Sequence, residues 1–242
     1  MTVMTLRFYS ALPSSITTLS FDLDDTLYYN EEVIQLAEQA QFDAVCQHVP
    51  EAKLEGIQYW IDLKWQVLKQ NPDLCHDVTQ WRTMVISTGL ENFGVKGDKN
   101  RVLTQKVFDV FYLARSNFKV PQQTFDVLTQ LKQKFRLIAV TNGNADFERI
   151  GLAPYFEGYY RAGERGTRMK PFADLLELAT NDFNIELSSI LHIGDNVSTD
   201  VKAAQNAACP SLWFNPEQKH YPAGFALPTA EYHDLADLLA LL

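Results

Sequence analysis

Carboxylates, a hydroxyl, amides and an ammonium group are concentrated in four short segments of this 242-residue chain. Clustered carboxylates can bind a divalent cation, and a single carboxylate can act as a nucleophile or as a general acid. A lysine near hydroxyl and amide groups can bind an anion. The four segments are Asp22-Leu23-Asp24-Asp25-Thr26, Thr141-Asn142-Gly143-Asn144, Lys170-Pro171 and Gly194-Asp195-Asn196, the last followed by Asp200.

Three of these segments directly follow short apolar runs. Residues 16–21, 136–140 and 189–193 are mostly apolar or β-branched, which is typical of strands buried on both faces of a parallel sheet. Ligands of an open parallel sheet bind beyond the carboxyl ends of its strands. We therefore expect the three segments to meet at one edge of a sheet.

Helical periodicity lies between the predicted strands. One apolar stripe precedes residues 136–140 and another precedes residues 189–193, so strands and helices alternate as in an α/β fold. Pro171 suits the first turn of the second helix, which we expect to begin at Phe172. Residues 159–162 and 211–214 are weaker strand predictions, and residues 234–242 are predicted to form a last helix.

A different pattern occupies residues 29–118. This segment contains four helical stripes and no strand-like run, with breakers at Pro50, at Asn71-Pro72 and around residues 89–97. We predict an inserted helical-bundle cap domain of residues 29–118. The rest, residues 1–28 plus 119–242, is predicted to be a Rossmann-like α/β core domain.

Each polar segment also has an ordinary explanation when it is taken alone. Asp22 and Asp24 suit a turn after a strand, and Thr141-Asn142-Gly143 suits a tight turn. Lys170 suits a solvated helix start, and Asp195 suits a loop. Their occurrence in this order at successive strand ends makes coincidence a weak explanation.

The four segments resemble the motifs of the haloacid dehalogenase-like (HAD) superfamily of phosphohydrolases. FDLDDT resembles its first motif, VTNG its second, KPF its third and GDNVSTD its fourth. The helical insertion is similar to the type-1 cap of that superfamily. Within it, FDLDDTLYYN, HDVTQWR, VPQQT and TNGNA resemble YigB-type bacterial phosphatases, which are associated with FMN and with 5-amino-6-(5-phospho-D-ribitylamino)uracil.

The resemblance implies roles for the aspartates. Asp22 matches the nucleophile, which forms an aspartyl-phosphate, and Asp24 matches the general acid and base. Asp22, the backbone carbonyl of Asp24 and Asp195 match the ligands of Mg²⁺, and Asp200 matches a residue that holds the ligand shell. Asn196 departs from the pattern, because many relatives have an acid there.

The resemblance also implies residues that contact the substrate. The Thr141 hydroxyl and the Asn142 backbone N–H match groups that bind the phosphoryl oxygens, and Lys170 matches the group that counters their charge. For the remainder of the substrate the candidates are Tyr28 at the hinge, Arg82 in the third cap helix and Arg168 near Lys170.

Composition excludes several other classes. The chain has 21 basic and 30 acidic residues and a net charge of -9, which disfavours a nucleic-acid partner. It has no apolar run long enough to span a bilayer and no pattern typical of a cleaved signal peptide, so we expect no membrane partner and a cytoplasmic location. Its three cysteines are far apart and are expected to be reduced.

The resulting hypothesis is a Mg²⁺-dependent phosphatase for a small phosphorylated metabolite, with FMN or 5-amino-6-(5-phospho-D-ribitylamino)uracil as the expected substrate. The acid at position 24 argues against a dehalogenase, which attacks carbon and has no use for it. A sugar-phosphate phosphatase or a phosphomutase of the same superfamily is an alternative. A phosphoaccepting signalling module is a more distant one, and the oligomeric state stays open.

Overall fold

A computed structural model of the chain describes residues 6–242, which form two compact units. The first, the sheet unit, contains the described residues up to Tyr29 together with residues 120–143 and 151–242. The second, the helical unit, contains residues 30–119 and 144–150. Residues 1–5, which the sequence analysis assigned to the core domain and to an uncleaved N-terminus, lie outside the described residues. The core and cap bounds predicted from the sequence stay a prediction.

The sheet unit contains a seven-stranded sheet within residues 6–242. Its order is β1-β7-β6-β5-β2-β3-β4, and every neighbouring pair is parallel except β1 with β7. The predicted α/β fold with a parallel sheet is therefore confirmed. The strands are β1 (Arg7–Phe8), β2 (Thr18–Phe21), β3 (Arg136–Thr141), β4 (Gly158–Arg161), β5 (Ile190–Gly194), β6 (Ser211–Phe214) and β7 (Ala230–Tyr232).

Strand β2 lies between β5 and β3 and is fully buried. Phe21, its last residue, is opposite Ile193 of β5 and Ala139 of β3. Because the three strands are parallel and in this register, they end close together at their carboxyl ends. The segments that follow them therefore begin at the same edge of the sheet.

The helical unit is built from four α-helices, as the periodicity predicts. They pack around a buried core that includes Trp60, Ile86 and Val107. Gly89 lets the ring of Trp60 approach its helix, because a Cβ at this position would overlap the ring. The helices are α1 (Glu31–His48), α2 (Ala52–Gln70), α3 (Val78–Asn92) and α4 (Gly97–Arg115).

The remaining α-helices belong to the sheet unit, and one prediction about them was wrong. The helices are α5 (Gln122–Leu131), α6 (Asp174–Phe183) and α7 (Lys202–Asn206). Helix α6 begins at Asp174 rather than Phe172, because the Phe172 N–H closes a turn onto the Met169 carbonyl at 3.0 Å. The predicted last helix is present as a 3₁₀-helix, Leu235–Leu241. Strands β1 and β7 were not predicted.

None of the helices in residues 6–242 is both long and apolar enough to pass through a membrane.

Candidate active site

Asp22 continues the pairing of β2 by one residue. Its backbone N–H donates to the Ile193 carbonyl of β5 at 2.8 Å. The side chain is 10% exposed and therefore almost buried at the carboxyl edge of the sheet. A backbone fixed by strand pairing gives this carboxylate a defined position next to the residues that follow β5.

Lys170 joins two of the aspartates. Its Nζ lies 2.6 Å from Asp22 Oδ1 and 2.6 Å from Asp200 Oδ1, and it also donates to the Val140 carbonyl at 2.8 Å. Its side chain is 2% exposed. Burial works against the charged form, but Asp200 and Asp22 outweigh burial and raise the pKa of Lys170. The lysine is therefore a buried cation.

Asp195 joins Asp22 and Asp200 in a cluster of three carboxylates. Oxygen atoms of Asp22, Asp195 and Asp200 all lie within 4.8 Å of one another. Burial raises the pKa of Asp22 well above its usual value, and burial together with Asp200 and Asp25 raises the pKa of Asp195 to about 7. The excess of buried negative charge and the hard oxygen donors both suit a divalent cation.

The oxygens of Asp200 already have partners. Oδ1 faces Lys170 and, at 3.4 Å, the ring of His192, while Oδ2 accepts from the Asn196 backbone N–H at 3.0 Å. Burial would raise the pKa of Asp200, but Lys170 and His192 outweigh burial and lower it. Asn196 caps the following turn, since its Oδ1 accepts from the Ser198 backbone N–H at 2.9 Å. These contacts suit Asp200 to holding its neighbours in place.

Asp195 has contacts that the sequence analysis missed. Thr26 Oγ1 donates to its Oδ1 at 3.2 Å, and Trp213 Nε1 donates to its backbone carbonyl at 2.7 Å. Thr26 belongs to the first motif, so the sequence could have indicated that it lies near the site. Trp213 lies on β6, and nothing in the spacing of the sequence connects it with Asp195.

Asp24 lies between a tyrosine and a glycine. The Tyr28 hydroxyl donates to Asp24 Oδ1 at 2.7 Å, and Tyr28 itself is buried. On the other side, a Cβ at Gly143 would overlap Asp24 Oδ2. The glycine of the second motif thus makes room for the carboxylate of the first.

Thr141 and Asn142 fix the loop that follows β3. Thr141 Oγ1 accepts from the Gly143 N–H at 3.0 Å. The Asn142 side chain binds the backbone of Lys170 in both directions: its Oδ1 accepts from the Lys170 N–H at 2.8 Å, and its Nδ2 donates to the Lys170 carbonyl at 3.0 Å. The peptide bond between Lys170 and Pro171 is cis. The sequence predicts a backbone role for Asn142, and this side-chain clamp was not predicted.

The three candidate substrate contacts have different surroundings. Tyr28 is bonded to Asp24, as described above. Arg82, in the helical unit, donates to Gln41 Oε1 at 3.0 Å and to Glu38 Oε1 at 3.2 Å, and its side chain is 13% exposed. Arg168 is half-exposed and forms two side-chain hydrogen bonds to Asp174, at 3.0 and 2.8 Å.

Replacing Lys170 with methionine is expected to destabilise the sheet unit. The change removes the partner of two buried carboxylates, and removing one member of a buried ion pair costs about 3–5 kcal/mol. Urea unfolding of the variant measures this loss. Lys202→Met, at an exposed lysine, is the control, and equal unfolding free energies for the two variants would contradict the buried pairing.

Replacing Gly194 with alanine is expected to displace Asp200. The new Cβ would overlap the Asp200 side chain, and overpacking of this kind costs about 1–3 kcal/mol. We expect lower turnover even where the protein remains folded. Gly89→Ala, which overlaps Trp60 in the helical unit, controls for general destabilisation. If turnover falls equally in both variants, Asp200 has no special role.

A parallel sheet with an aspartate at the end of a central strand, and with two more aspartates and a buried lysine beside it, defines an α/β enzyme with an aspartate-based site. The model of the haloacid dehalogenase-like hydrolase family matches residues 16–208, and the chain belongs to this family. The family and the enzyme class predicted from the sequence are confirmed.

Two relatives align with nearly the whole chain. The chain is 37% identical over 240 residues to the 5-amino-6-(5-phospho-D-ribitylamino)uracil phosphatase YigB of Escherichia coli (strain K12), covering 98% of this chain and all of that protein. It is 27% identical over 235 residues to the putative HAD-hydrolase YfnB of Bacillus subtilis (strain 168), covering 93% of this chain and 94% of that protein.

The fold is also similar to a solved structure of a 2-haloacid dehalogenase from Pseudomonas syringae pv. Tomato DC3000. The TM-score is 0.85 at 31% identity, and the match covers 93% of this chain and 97% of that one. The similarity confirms the predicted HAD fold. Because this relative carries the name of a dehalogenase, the fold alone does not define the reaction.

Proposed function

We propose that the protein is a Mg²⁺-dependent phosphatase that hydrolyses 5-amino-6-(5-phospho-D-ribitylamino)uracil. The similarity to YigB over almost the full length of both chains is the observation that supports this substrate. FMN, which also bears a ribityl phosphate, is the second substrate to test. With either substrate the enzyme would act in flavin metabolism, and with the first it would act in riboflavin biosynthesis. We propose a cytoplasmic location.

The placement of Asp24 supports phosphate ester hydrolysis over dehalogenation. Hydrolysis of a phosphate ester requires a proton on the leaving oxygen, and a carboxylic acid near the nucleophile can supply it. Asp24 is two residues from Asp22 and is held by Tyr28 and by the space at Gly143. A halide leaves without a proton, so a dehalogenase would have no use for this arrangement.

In the first step, a carboxylate oxygen of Asp22 attacks phosphorus. The bond from phosphorus to the ribityl oxygen breaks, and that oxygen takes the proton of Asp24. Asp22 then carries the phosphoryl group and Asp24 is ionised. Before the attack, Lys170 holds Asp22 in place through Oδ1.

In the second step, Asp24 acts as a base. It removes a proton from water, whose oxygen attacks phosphorus, and the bond from phosphorus to Asp22 breaks. Phosphate leaves and both carboxylates return to their starting states. The hydrogen bond from Tyr28 keeps the Asp24 carboxylate in one orientation for both steps.

The acidic cluster would hold the cation. We propose Asp22, Asp195 and the backbone carbonyl of Asp24 as ligands, with Asp200 holding the shell, because the oxygens of Asp200 already face Lys170, His192 and Asn196. When it is bound, Mg²⁺ would neutralise part of the phosphoryl charge.

Protein groups that follow β3 would bind the phosphoryl oxygens. We propose the Thr141 hydroxyl and the Asn142 backbone N–H for this task, with Lys170 contributing positive charge. The Asn142 side chain has a separate task, since it holds the Lys170 backbone. The Asn142 side chain therefore fixes the position of the lysine relative to this loop.

We propose that selection among phosphate esters depends on Tyr28, Arg82, Arg168 and the predicted cap of residues 29–118. Arg82 would have to exchange its contacts with Glu38 and Gln41 to bind a substrate. Arg168 would have to exchange its contact with Asp174 for one with the substrate. Substitution of either arginine with lysine should change KM more than kcat if it contacts the substrate.

A comparison of kcat/KM for three substrate classes tests the proposal: 5-amino-6-(5-phospho-D-ribitylamino)uracil, FMN and sugar phosphates, with Mg²⁺ present. We expect the first to give the highest value and to release free phosphate. Isomerised sugar phosphate would indicate a phosphomutase, and halide release from a 2-haloacid would indicate a dehalogenase. No phosphate from any ester, while YigB works in parallel, would overturn the proposed function.

A further inference from the structure

His192 is a polar residue inside an otherwise apolar central strand. Strand β5 has the sequence ILHIG, and every residue in it is buried. The His192 side chain is completely buried. A buried imidazole is costly unless its ring nitrogens have hydrogen-bond partners. The steps of the proposed reaction do not use this group directly.

Both ring nitrogens of His192 have partners. Nδ1 lies 2.9 Å from Ser20 Oγ on β2, which is directly opposite His192 in the strand pairing. Nε2 lies 3.4 Å from Asp200 Oδ1. The histidine therefore connects the central strand β2 with the acid that faces Lys170.

The chemistry of the two partners determines the direction of these bonds. An ionised carboxylate can only accept, whereas a hydroxyl can donate or accept. A neutral imidazole has one donor and one acceptor, so Nε2–H donates to Asp200 and the Ser20 hydroxyl donates to Nδ1. Burial lowers the pKa of His192, which agrees with a neutral ring.

Asp200 transmits this contact to the nucleophile. Its Oδ1 faces both His192 and Lys170, and Lys170 in turn lies 2.6 Å from Asp22 Oδ1. Without the imidazole, Oδ1 would lose the contact that limits its rotation on this side. Lys170 would then lose the fixed partner that keeps it centred between the two acids.

We infer that His192 is a positioning residue that acts with Ser20 to fix the Asp200 carboxylate, and through it Lys170, against Asp22. The inference rests on the proposed function, because it assigns Asp22 the role of nucleophile. His192 touches neither substrate nor reacting atoms in this account. Its effect passes through Asp200 and Lys170.

Two amide substitutions separate positioning from packing. In His192→Gln the amide nitrogen can take the place of Nε2 and donate to Asp200. In His192→Asn the shorter amide reaches the Nδ1 position near Ser20 but not Asp200. Loss of contacts that orient catalytic or ligating groups typically costs 10–100-fold, so we expect kcat of the Asn variant to fall by about 10–100-fold with little change in KM. The Gln variant should retain most of the kcat.

Nitrogen-15 NMR of the unsubstituted protein tests the bond direction independently of activity. We expect the His192 ring to carry its proton on Nε2 and to have an unprotonated Nδ1 that accepts from Ser20, and we expect Ser20→Ala to change the Nδ1 signal. Absence of phosphatase activity would overturn the proposed function but leave this signature intact. A proton on Nδ1 alone, or equal kcat losses in the Gln and Asn variants, would overturn the positioning role.

Discussion

Asp22→Asn is expected to abolish turnover while the protein stays folded. An amide oxygen is too weak a nucleophile to attack phosphorus, and loss of a nucleophile costs roughly 10⁴-fold or more in kcat. The fold should tolerate the change, because burial, Asp200 and Asp195 oppose the charge of Asp22 more strongly than Lys170 supports it. Lys170 also keeps Asp200 as a charged partner. Phosphate release and thermal unfolding are the two measurements, and we expect an unfolding temperature at or above that of the unsubstituted protein.

Asp25→Asn is the matched control for this substitution. Asp25 is exposed and has a φ of 59°, a left-handed conformation that asparagine adopts as readily as aspartate. It removes the same charge three residues further along the chain, and turnover should remain close to that of the unsubstituted protein. Near-normal turnover of Asp22→Asn would contradict covalent catalysis. Equal losses in both variants would indicate that the loss of negative charge, and not of a nucleophile, lowers turnover.

Asp24→Asn is expected to slow both steps of the reaction. Loss of a general acid or base typically costs about 10²–10⁴-fold, and the variant loses both functions. The loss in kcat/KM, which reports the first step, should depend on the leaving group. With p-nitrophenyl phosphate, whose leaving oxygen needs no proton, Asp22 should still become phosphorylated, but hydrolysis should remain slow.

The phosphorylated form of Asp24→Asn should therefore accumulate on this substrate. Intact-protein mass spectrometry after an acid quench would detect one added phosphoryl group. Tyr28→Phe, which removes the hydroxyl that donates to Asp24 Oδ1, should show a smaller version of the same defect. If the losses in kcat/KM for Asp24→Asn are equal with good and poor leaving groups, Asp24 is not the acid.

The sequence was sufficient to predict the sheet edge, because local patterns determine it. Buried strands are short apolar runs, and the polar residue after each run marks the strand end. Asp22 directly follows β2, Thr141 is the last residue of β3, and Asp195 directly follows β5. The four helices of residues 30–119 were also readable, since each has an apolar stripe and breakers separate them.

The contacts between the segments were not predictable from local pattern. Lys170 and Asp22 are 148 positions apart, and their 2.6 Å contact depends on how the loops after β2 and β4 fold. The clamp of Asn142 on the Lys170 backbone and the donation from Trp213 to Asp195 also arise only in the folded chain. Helix α6 began later than predicted for the same reason, because a turn after Met169 delays its start.

A single turnover in water enriched in oxygen-18 identifies the atom that water attacks in the second step. After reaction with 5-amino-6-(5-phospho-D-ribitylamino)uracil, mass spectrometry would analyse the released phosphate and the peptide that contains Asp22. Attack of water on phosphorus predicts label in phosphate and none in Asp22. Label in the Asp22 carboxylate would mean that water attacks its carbonyl carbon, and would contradict hydrolysis of the aspartyl-phosphate at phosphorus.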